Sequence, residues 1–122
     1  MLHPKDAVVL FEALRKEINI PIVLHTHSTT GVSLVNLALA IKYGIDQIDT
    51  CISPFAGGSS HSPVEIIAII AERMGYEHGL DKEKIEKAQD VLREIFVELK
   101  SSTPSFDKGW HKPVRFADVP VD

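Results

Sequence analysis

The sequence has little cysteine, no excess of positive charge and no long apolar run. Cys51 is the only cysteine, so an internal disulfide is excluded, and we expect a buried thiol in a reducing, cytoplasmic setting. The formal net charge of −4 argues against nucleic-acid binding, which needs a basic face. No apolar run approaches the roughly 20 residues that span a bilayer, and the first residues do not resemble a signal peptide. Composition therefore predicts an ordinary globular chain.

Helical and strand-like patterns alternate along the chain. Four segments carry apolar residues at helical spacing: 4–18, 32–43, 63–74 and 81–100. Two short apolar runs, 21–25 and 45–52, separate the first three helices and are typical of buried parallel strands. Two strands make a poor sheet, and a complete (β/α)8 barrel needs about 250 residues. The pattern therefore predicts an α/β fold in which these 122 residues form part of something larger.

Two histidines follow the first predicted strand. His25 and His27 are two residues apart, so their side chains point to the same side of a strand. Two imidazoles suit Zn²⁺, Mn²⁺ or Co²⁺, although a catalytic site usually has at least three protein ligands. No third ligand is obvious in the sequence, unless His61 folds against the pair, and Asp49 is a candidate for orienting a ligand. The alternative is a merely polar strand end.

A loop rich in glycine and serine follows the second predicted strand. Gly57 and Gly58 allow a positive φ and a close approach to a ligand. Ser59 and Ser60 offer hydroxyl groups, and His61 has a side chain that can titrate near neutral pH. The alternative is a simple connector. A phosphate-binding loop is not indicated, because neither G-x-G-x-x-G nor a Walker lysine is present.

Both loops contain motifs with a family resemblance. Residues 25–31 read His-Thr-His-Ser-Thr-Thr-Gly, and residues 49–65 read Asp-Thr-Cys-Ile-Ser-Pro-Phe-Ala-Gly-Gly-Ser-Ser-His-Ser-Pro-Val-Glu. They resemble H-x-H-D-T-x-G and D-T-A-I-S-P-(L/M)-(S/A)-G-G-T-S-Q-P-x-T-E. These motifs are typical of the carboxyltransferase domains of biotin-dependent enzymes: pyruvate carboxylase, oxaloacetate decarboxylase and transcarboxylase. The chain departs from them where Ser28 replaces aspartate, His61 replaces glutamine and Ser62 replaces proline.

The resemblance implies a fold and a division of the chain. Residues 1–100 would form the C-terminal part of a (β/α)8 TIM barrel that is incomplete in this chain. Residues 101–122 would be an extended tail leading towards a following domain. His25 and His27 would bind a divalent metal (Zn, Mn or Co), together with an aspartate and a carbamylated lysine from barrel segments that this sequence does not include.

The resemblance also implies roles in the glycine-serine loop. Ser59 falls where the family has a threonine that shuttles a proton between biotin and the pyruvate enolate. Gly57, Gly58 and Ser60 would contact the substrate or biotin. The implied partners are a biotin carrier domain or subunit and a small 2-oxo acid, with the complete enzyme a homodimer.

Two rival functions stay open on the sequence. Metal-dependent aldolases, lyases and Claisen-type synthases, such as 3-hydroxy-3-methylglutaryl-CoA lyase, also carry H-x-H on a barrel strand. The loop 56–60 followed by Pro63 and Glu65 favours the carboxyltransferase. A third hypothesis is a non-catalytic barrel fragment that needs a second chain, and we expect the isolated chain to be inactive.

Overall fold

The computed structural model describes residues 2–102 and 116–118. Its elements are α1 (Pro4–Glu17), β1 (Val23–Leu24), α2 (Ser33–Lys42), β2 (Gln47–Ile48), α3 (Val64–Arg73), α4 (Lys82–Ser102) and a 3-10 turn (Phe116–Asp118). The helix and strand order is the one that the apolar spacing predicts. Among these residues, no helix is both apolar enough and long enough to cross a membrane.

The two strands pair in parallel. Val23 lies opposite Gln47 and Leu24 opposite Ile48. The Asp49 amide extends the pairing, since it donates to the Leu24 carbonyl at 3.0 Å. Both strands are shorter than the predicted runs 21–25 and 45–52, because the chain turns into polar loops directly after the paired residues. The parallel direction brings the two C-terminal strand ends, and therefore both loops, to the same edge.

The core lies between one face of this strand pair and the first two helices. Ala7 and Phe11 of α1 pack with Ala40 of α2 and with Ile45. Side chains on that face of the strands are partly buried against this cluster: Ile22, Leu24 and Ile48. Exposure alternates from residue 21 to residue 28, so that Val23, His25 and His27 point away from the helices. The helices therefore fix one face of β1 and leave the face with the histidines open.

The second half of the fold anchors the loop that follows β2. Glu65 of α3 is fully buried, and its Oε1 accepts hydrogen bonds from the Ser53 amide, at 3.1 Å, and from Gln89 of α4. The ring of Phe96 in α4 packs edge-to-face on Phe55, with centroids 5.7 Å apart. The loop is therefore held between two helices at its start.

Several sequence predictions can be compared with these elements. Asp81 caps α4, since its Oδ1 accepts from the Lys84 amide at 3.1 Å. Cys51 is half-buried, whereas the sequence predicted a buried thiol. The reason is its position after the end of β2, at the start of the loop. Helix α4 extends two residues beyond the predicted limit of 100. Most of the predicted tail 101–122 lies outside the described residues, so the division of the chain stays a prediction.

Asp46, the residue before β2, forms hydrogen bonds that connect it to α1 and to the residue before β1. Its Oδ2 accepts from the Ile22 amide at 2.8 Å and from the Arg15 guanidinium. These contacts, the Ile22 amide first and Arg15 second, hold the pKa of the Asp46 carboxyl below its ordinary value of 3.8. A lowered pKa means that the carboxylate stabilises the fold above pH 3.8, and that this contribution is lost as the pH falls through the lowered value.

Replacing Asp46 by asparagine should therefore lower the free energy of unfolding at neutral pH. The difference from the wild type should shrink as the pH falls below 3.8. Urea unfolding at a series of pH values measures this difference, with the exposed Glu12→Gln substitution in α1 as the control. A difference that stays constant down to about pH 2 would contradict the role of the Asp46 charge.

Candidate metal centre

Three histidines of the described chain meet at the C-terminal edge of the strand pair. The ring centroids of His25 and His27 are 5.2 Å apart, and the ring of His61 lies 4.5 Å from the first and 4.4 Å from the second. One ring nitrogen from each histidine lies within 4.8 Å of the other two. The expected i, i+2 convergence is present, since both side chains of the H-x-H motif are exposed on the same side of the segment that follows β1.

The third imidazole corrects the expectation that no obvious third ligand exists. His61 lies 34 positions after His27 in the sequence, and the parallel register brings their two loops together. The sequence offers His61 only as a residue that would have to fold against the pair, and the structure places it there. The missing signal is long-range, because nothing local in the sequence fixes how the glycine-serine loop folds back over β1.

Each histidine uses its Nδ1 atom to contact an oxygen that can only accept. His25 Nδ1 lies 2.7 Å from Asp49 Oδ2. His27 Nδ1 lies 2.6 Å from the Ser59 carbonyl, and His61 Nδ1 lies 2.8 Å from the Thr26 carbonyl. Nδ1 must therefore donate in all three rings, which leaves each neutral imidazole with its lone pair on Nε2.

Asp49 has the orienting position that the sequence suggests. It follows directly after the residues of β2 that pair with β1, so its side chain lies beside His25. The hydrogen bond with His25 is the main cause that lowers the pKa of the Asp49 carboxyl from its ordinary value. A carboxylate that receives Nδ1–H fixes both the tautomer and the orientation of an imidazole.

The glycine-serine loop is folded as a closed turn. The Gly57 amide donates to the His61 carbonyl at 2.7 Å, and the Ser60 amide donates to the Gly57 carbonyl at 2.8 Å. Gly57 and Gly58 have φ values of 91° and 52°, the left-handed region that glycine adopts without strain. Ser59 is exposed at the tip of the turn. The candidate loop residues of the sequence analysis, Gly57 to Ser60, lie beside the histidines, because the Ser59 carbonyl contacts His27 Nδ1.

A cluster of three serine hydroxyls joins the two loops beneath the histidines. Ser33 Oγ lies 2.6 Å from both Ser28 Oγ and Ser62 Oγ, and the Ser28 and Ser62 hydroxyls are 3.1 Å apart. Ser33 and Ser62 are each only 1% exposed. The Ser28 amide also donates to the Ser60 carbonyl at 2.7 Å. Since Ser28 follows His27 and Ser62 follows His61, this cluster fixes both histidine-bearing segments together.

Comparison with known families decides the class of this fold. The HMGL-like family matches residues 1–92, which is most of the chain. The chain belongs to the HMGL-like family.

Two further similarities of this HMGL-like chain are to carboxyltransferases. It is 37% identical over 97 residues to the methylmalonyl-CoA carboxyltransferase 5S subunit of Propionibacterium freudenreichii subsp. shermanii, covering 78% of this chain and 19% of that protein. It also resembles the carboxyl transferase domain of Rhizobium etli pyruvate carboxylase, whose structure was solved with oxamate and biotin. That match has a TM-score of 0.69 and 29% identity, and covers 76% of this chain and 16% of the other. The predicted fold class is confirmed: the chain is part of a carboxyltransferase-type TIM barrel.

A third similarity is to a lyase. The 4-hydroxy-2-oxovalerate aldolase of Serratia proteamaculans is 29% identical over 97 residues, covering 79% of this chain and 29% of the aldolase. The chain therefore spans less than a third of the length of each protein compared here. The enzyme family is established, while the activity of the whole protein is a matter for proposal.

Replacing Ser62 by alanine should destabilise the fold by about 1 kcal/mol, because it leaves the buried Ser33 hydroxyl and the half-buried Ser28 hydroxyl with one partner fewer. Thermal and urea unfolding measure this loss. The exposed Thr30→Ala substitution in the same region is the control. If both variants unfold together with the wild type, the hydroxyl cluster does not join the loops.

Proposed function

We propose that this chain forms part of a metal- and biotin-dependent carboxyltransferase or decarboxylase that acts on 2-oxo acids of the oxaloacetate and pyruvate type. One observation carries the proposal: the H-x-H histidines contact oxygens through Nδ1 and so keep their Nε2 lone pairs, beside a glycine-serine turn of carboxyltransferase-like sequence. The structural relative solved with oxamate and biotin supports the same ligand classes.

The donor set fits a divalent metal. His25 and His27 lie on one side of the segment that follows β1, and each donates its Nδ1 proton to an oxygen of the other loop, the arrangement typical of metal-binding histidines. We assign these two residues as metal ligands. When bound, the metal supplies positive charge that stabilises negative charge developing on the ketone oxygen of a 2-oxo acid. Zn²⁺, Mn²⁺ and Co²⁺ all accept imidazole ligands.

Ser59 is the proposed proton carrier. It is exposed at the tip of the turn, and its carbonyl accepts the hydrogen bond from His27, which holds this residue next to a metal ligand. A hydroxyl can both donate and accept, so it can pass a proton between two groups that it contacts. The positive φ values of Gly57 and Gly58 shape the turn that presents it, and we place Ser60 with them in the substrate and biotin contact.

The proposal includes partners outside this chain. Biotin carries the carboxyl group, and a carrier domain or subunit has to bring it to the turn. The complete enzyme is proposed as a cytoplasmic homodimer. The remaining metal ligands would come from other barrel segments, so we expect the 122-residue chain alone to have no decarboxylase activity.

The aldolase relative supports a second candidate, a metal-dependent aldolase or lyase that does not use biotin. A test on the full-length protein containing this segment separates the two. Avidin-sensitive release of pyruvate from oxaloacetate, dependent on a biotinylated carrier, would support the carboxyltransferase. Cleavage of a 4-hydroxy-2-oxo acid, unaffected by avidin, would replace it with the aldolase.

His27→Ala in the full-length protein should lower kcat by at least about 100-fold, the upper end of losses seen when a residue that merely supports a metal ligand is changed. Metal content after dialysis should fall in parallel. Wild-type metal content in an inactive His27→Ala protein would exclude the residue as a ligand.

Ser59→Ala should slow the transfer step by roughly 100-fold or more while leaving metal content unchanged, because only proton transfer is removed. Ser59→Thr retains a hydroxyl and should restore much of the rate. Equal rates for the alanine and threonine variants would contradict a proton-carrying hydroxyl. Single-turnover carboxyl transfer from carboxybiotin measures the step directly.

A further inference from the structure

We infer that His61 is a third metal ligand, so that this segment of the barrel binds a divalent cation through three imidazoles. The inference rests on the proposed role of His25 and His27 as ligands and adds a residue from the opposite loop. It also narrows the class of metal that the site prefers.

The first support is proximity. The ring of His61 lies closer to each histidine of the H-x-H pair, at 4.5 and 4.4 Å, than those two lie to each other, at 5.2 Å. The three potential ligand nitrogens lie within 4.8 Å of one another. Nitrogens bound to one Zn²⁺ at about 2.0–2.1 Å lie somewhat closer than this, so small side-chain rotations would complete the set.

The second support is the direction of the protons. A histidine that serves only in packing need not have the same tautomer as its neighbours. His61 nevertheless donates Nδ1–H to the Thr26 carbonyl, just as His27 donates Nδ1–H to the Ser59 carbonyl. Each of these two loops thus supplies the carbonyl that orients the histidine of the other. All three rings present Nε2 as the remaining lone pair, the state that binds a metal.

The third support is where the chain departs from the carboxyltransferase motif. Ser28, His61 and Ser62 replace aspartate, glutamine and proline, and all three lie in one place. Ser28 Oγ and Ser62 Oγ are 3.1 Å apart, and Ser62 is the neighbour of His61. These replacements remove a carboxylate next to His27 and add an imidazole opposite it.

The donor chemistry sets the metal preference. Three neutral imidazoles favour Zn²⁺, Co²⁺, Ni²⁺ and Cu²⁺ over Mg²⁺ and Ca²⁺, which prefer oxygen ligands. Asp49 receives the His25 Nδ1 proton and acts as a positioning residue in this arrangement. We therefore expect Zn²⁺ binding to persist in the presence of millimolar Mg²⁺.

Titration of the 122-residue chain with Zn²⁺ and Co²⁺ tests the inference. Calorimetry should show one Zn²⁺ per chain, and Co²⁺ should give the visible absorption bands of a site with nitrogen ligands. His61→Gln restores the residue of the motif and should weaken Zn²⁺ binding roughly tenfold or more. His78→Gln is the matched control, because His78 contacts Glu72 and Leu80 and is not part of the cluster.

A measurement on the wild type guards against a variant that does not fold. Nitrogen-15 spectra of the imidazoles should show Zn²⁺ shifting the Nε2 signals of His25, His27 and His61 together. Coordination through Nδ1, or a His61 signal that does not move, would overturn the inference.

The outcomes separate this inference from the proposed function. Equal Zn²⁺ affinity for wild type and His61→Gln refutes the third ligand and leaves the H-x-H pair in place. Failure of the wild-type chain to bind Zn²⁺ also refutes it, because three imidazoles should suffice without the rest of the barrel. Binding that survives His25→Gln and His27→Gln but not His61→Gln would contradict the proposed function as well.

Discussion

The parallel pairing of β1 with β2 is the constraint on which the site depends. Parallel strands end at the same edge, so the loops that follow them must meet there. The pairing of Leu24 with Ile48 places His25 beside Asp49, and their hydrogen bond of 2.7 Å follows from that register. A slip of one residue would turn the histidines towards the helices. The short ladder therefore decides which side chains can act together.

The helices contribute by burying the other face of the same strands. Ile22 and Leu24 pack on the core of α1 and α2, which forces Val23, His25 and His27 to the opposite side. In a (β/α)8 barrel the face that points away from the helices is the barrel interior. The 51% exposure of Val23 therefore reflects its place on the face that lines the interior of a complete barrel.

Sequence patterns predict the features of this molecule that depend on residues close together in the sequence. They miss the features that depend on contacts between segments far apart in the sequence. Apolar spacing predicts four helices within a few residues of their ends, and the i, i+2 spacing of His25 and His27 predicts that they share a face. The hydrogen bond of His61 to the Thr26 carbonyl joins residues 35 positions apart, so no local pattern indicates it. The apolar spacing over 81–100 likewise predicts α4 but does not show that Val91, one of its apolar residues, is 59% exposed.

The serine cluster has an evolutionary consequence. Three hydroxyls that contact one another, two of them on side chains with 1% exposure, are not exchanged independently without cost, because a single change leaves each of the other two with one hydrogen-bond partner fewer. Descendants of this chain should therefore inherit Ser28, Ser33 and Ser62 as a linked group, or lose all three together. An alignment of near relatives would then separate into two populations, with few sequences that mix the two states.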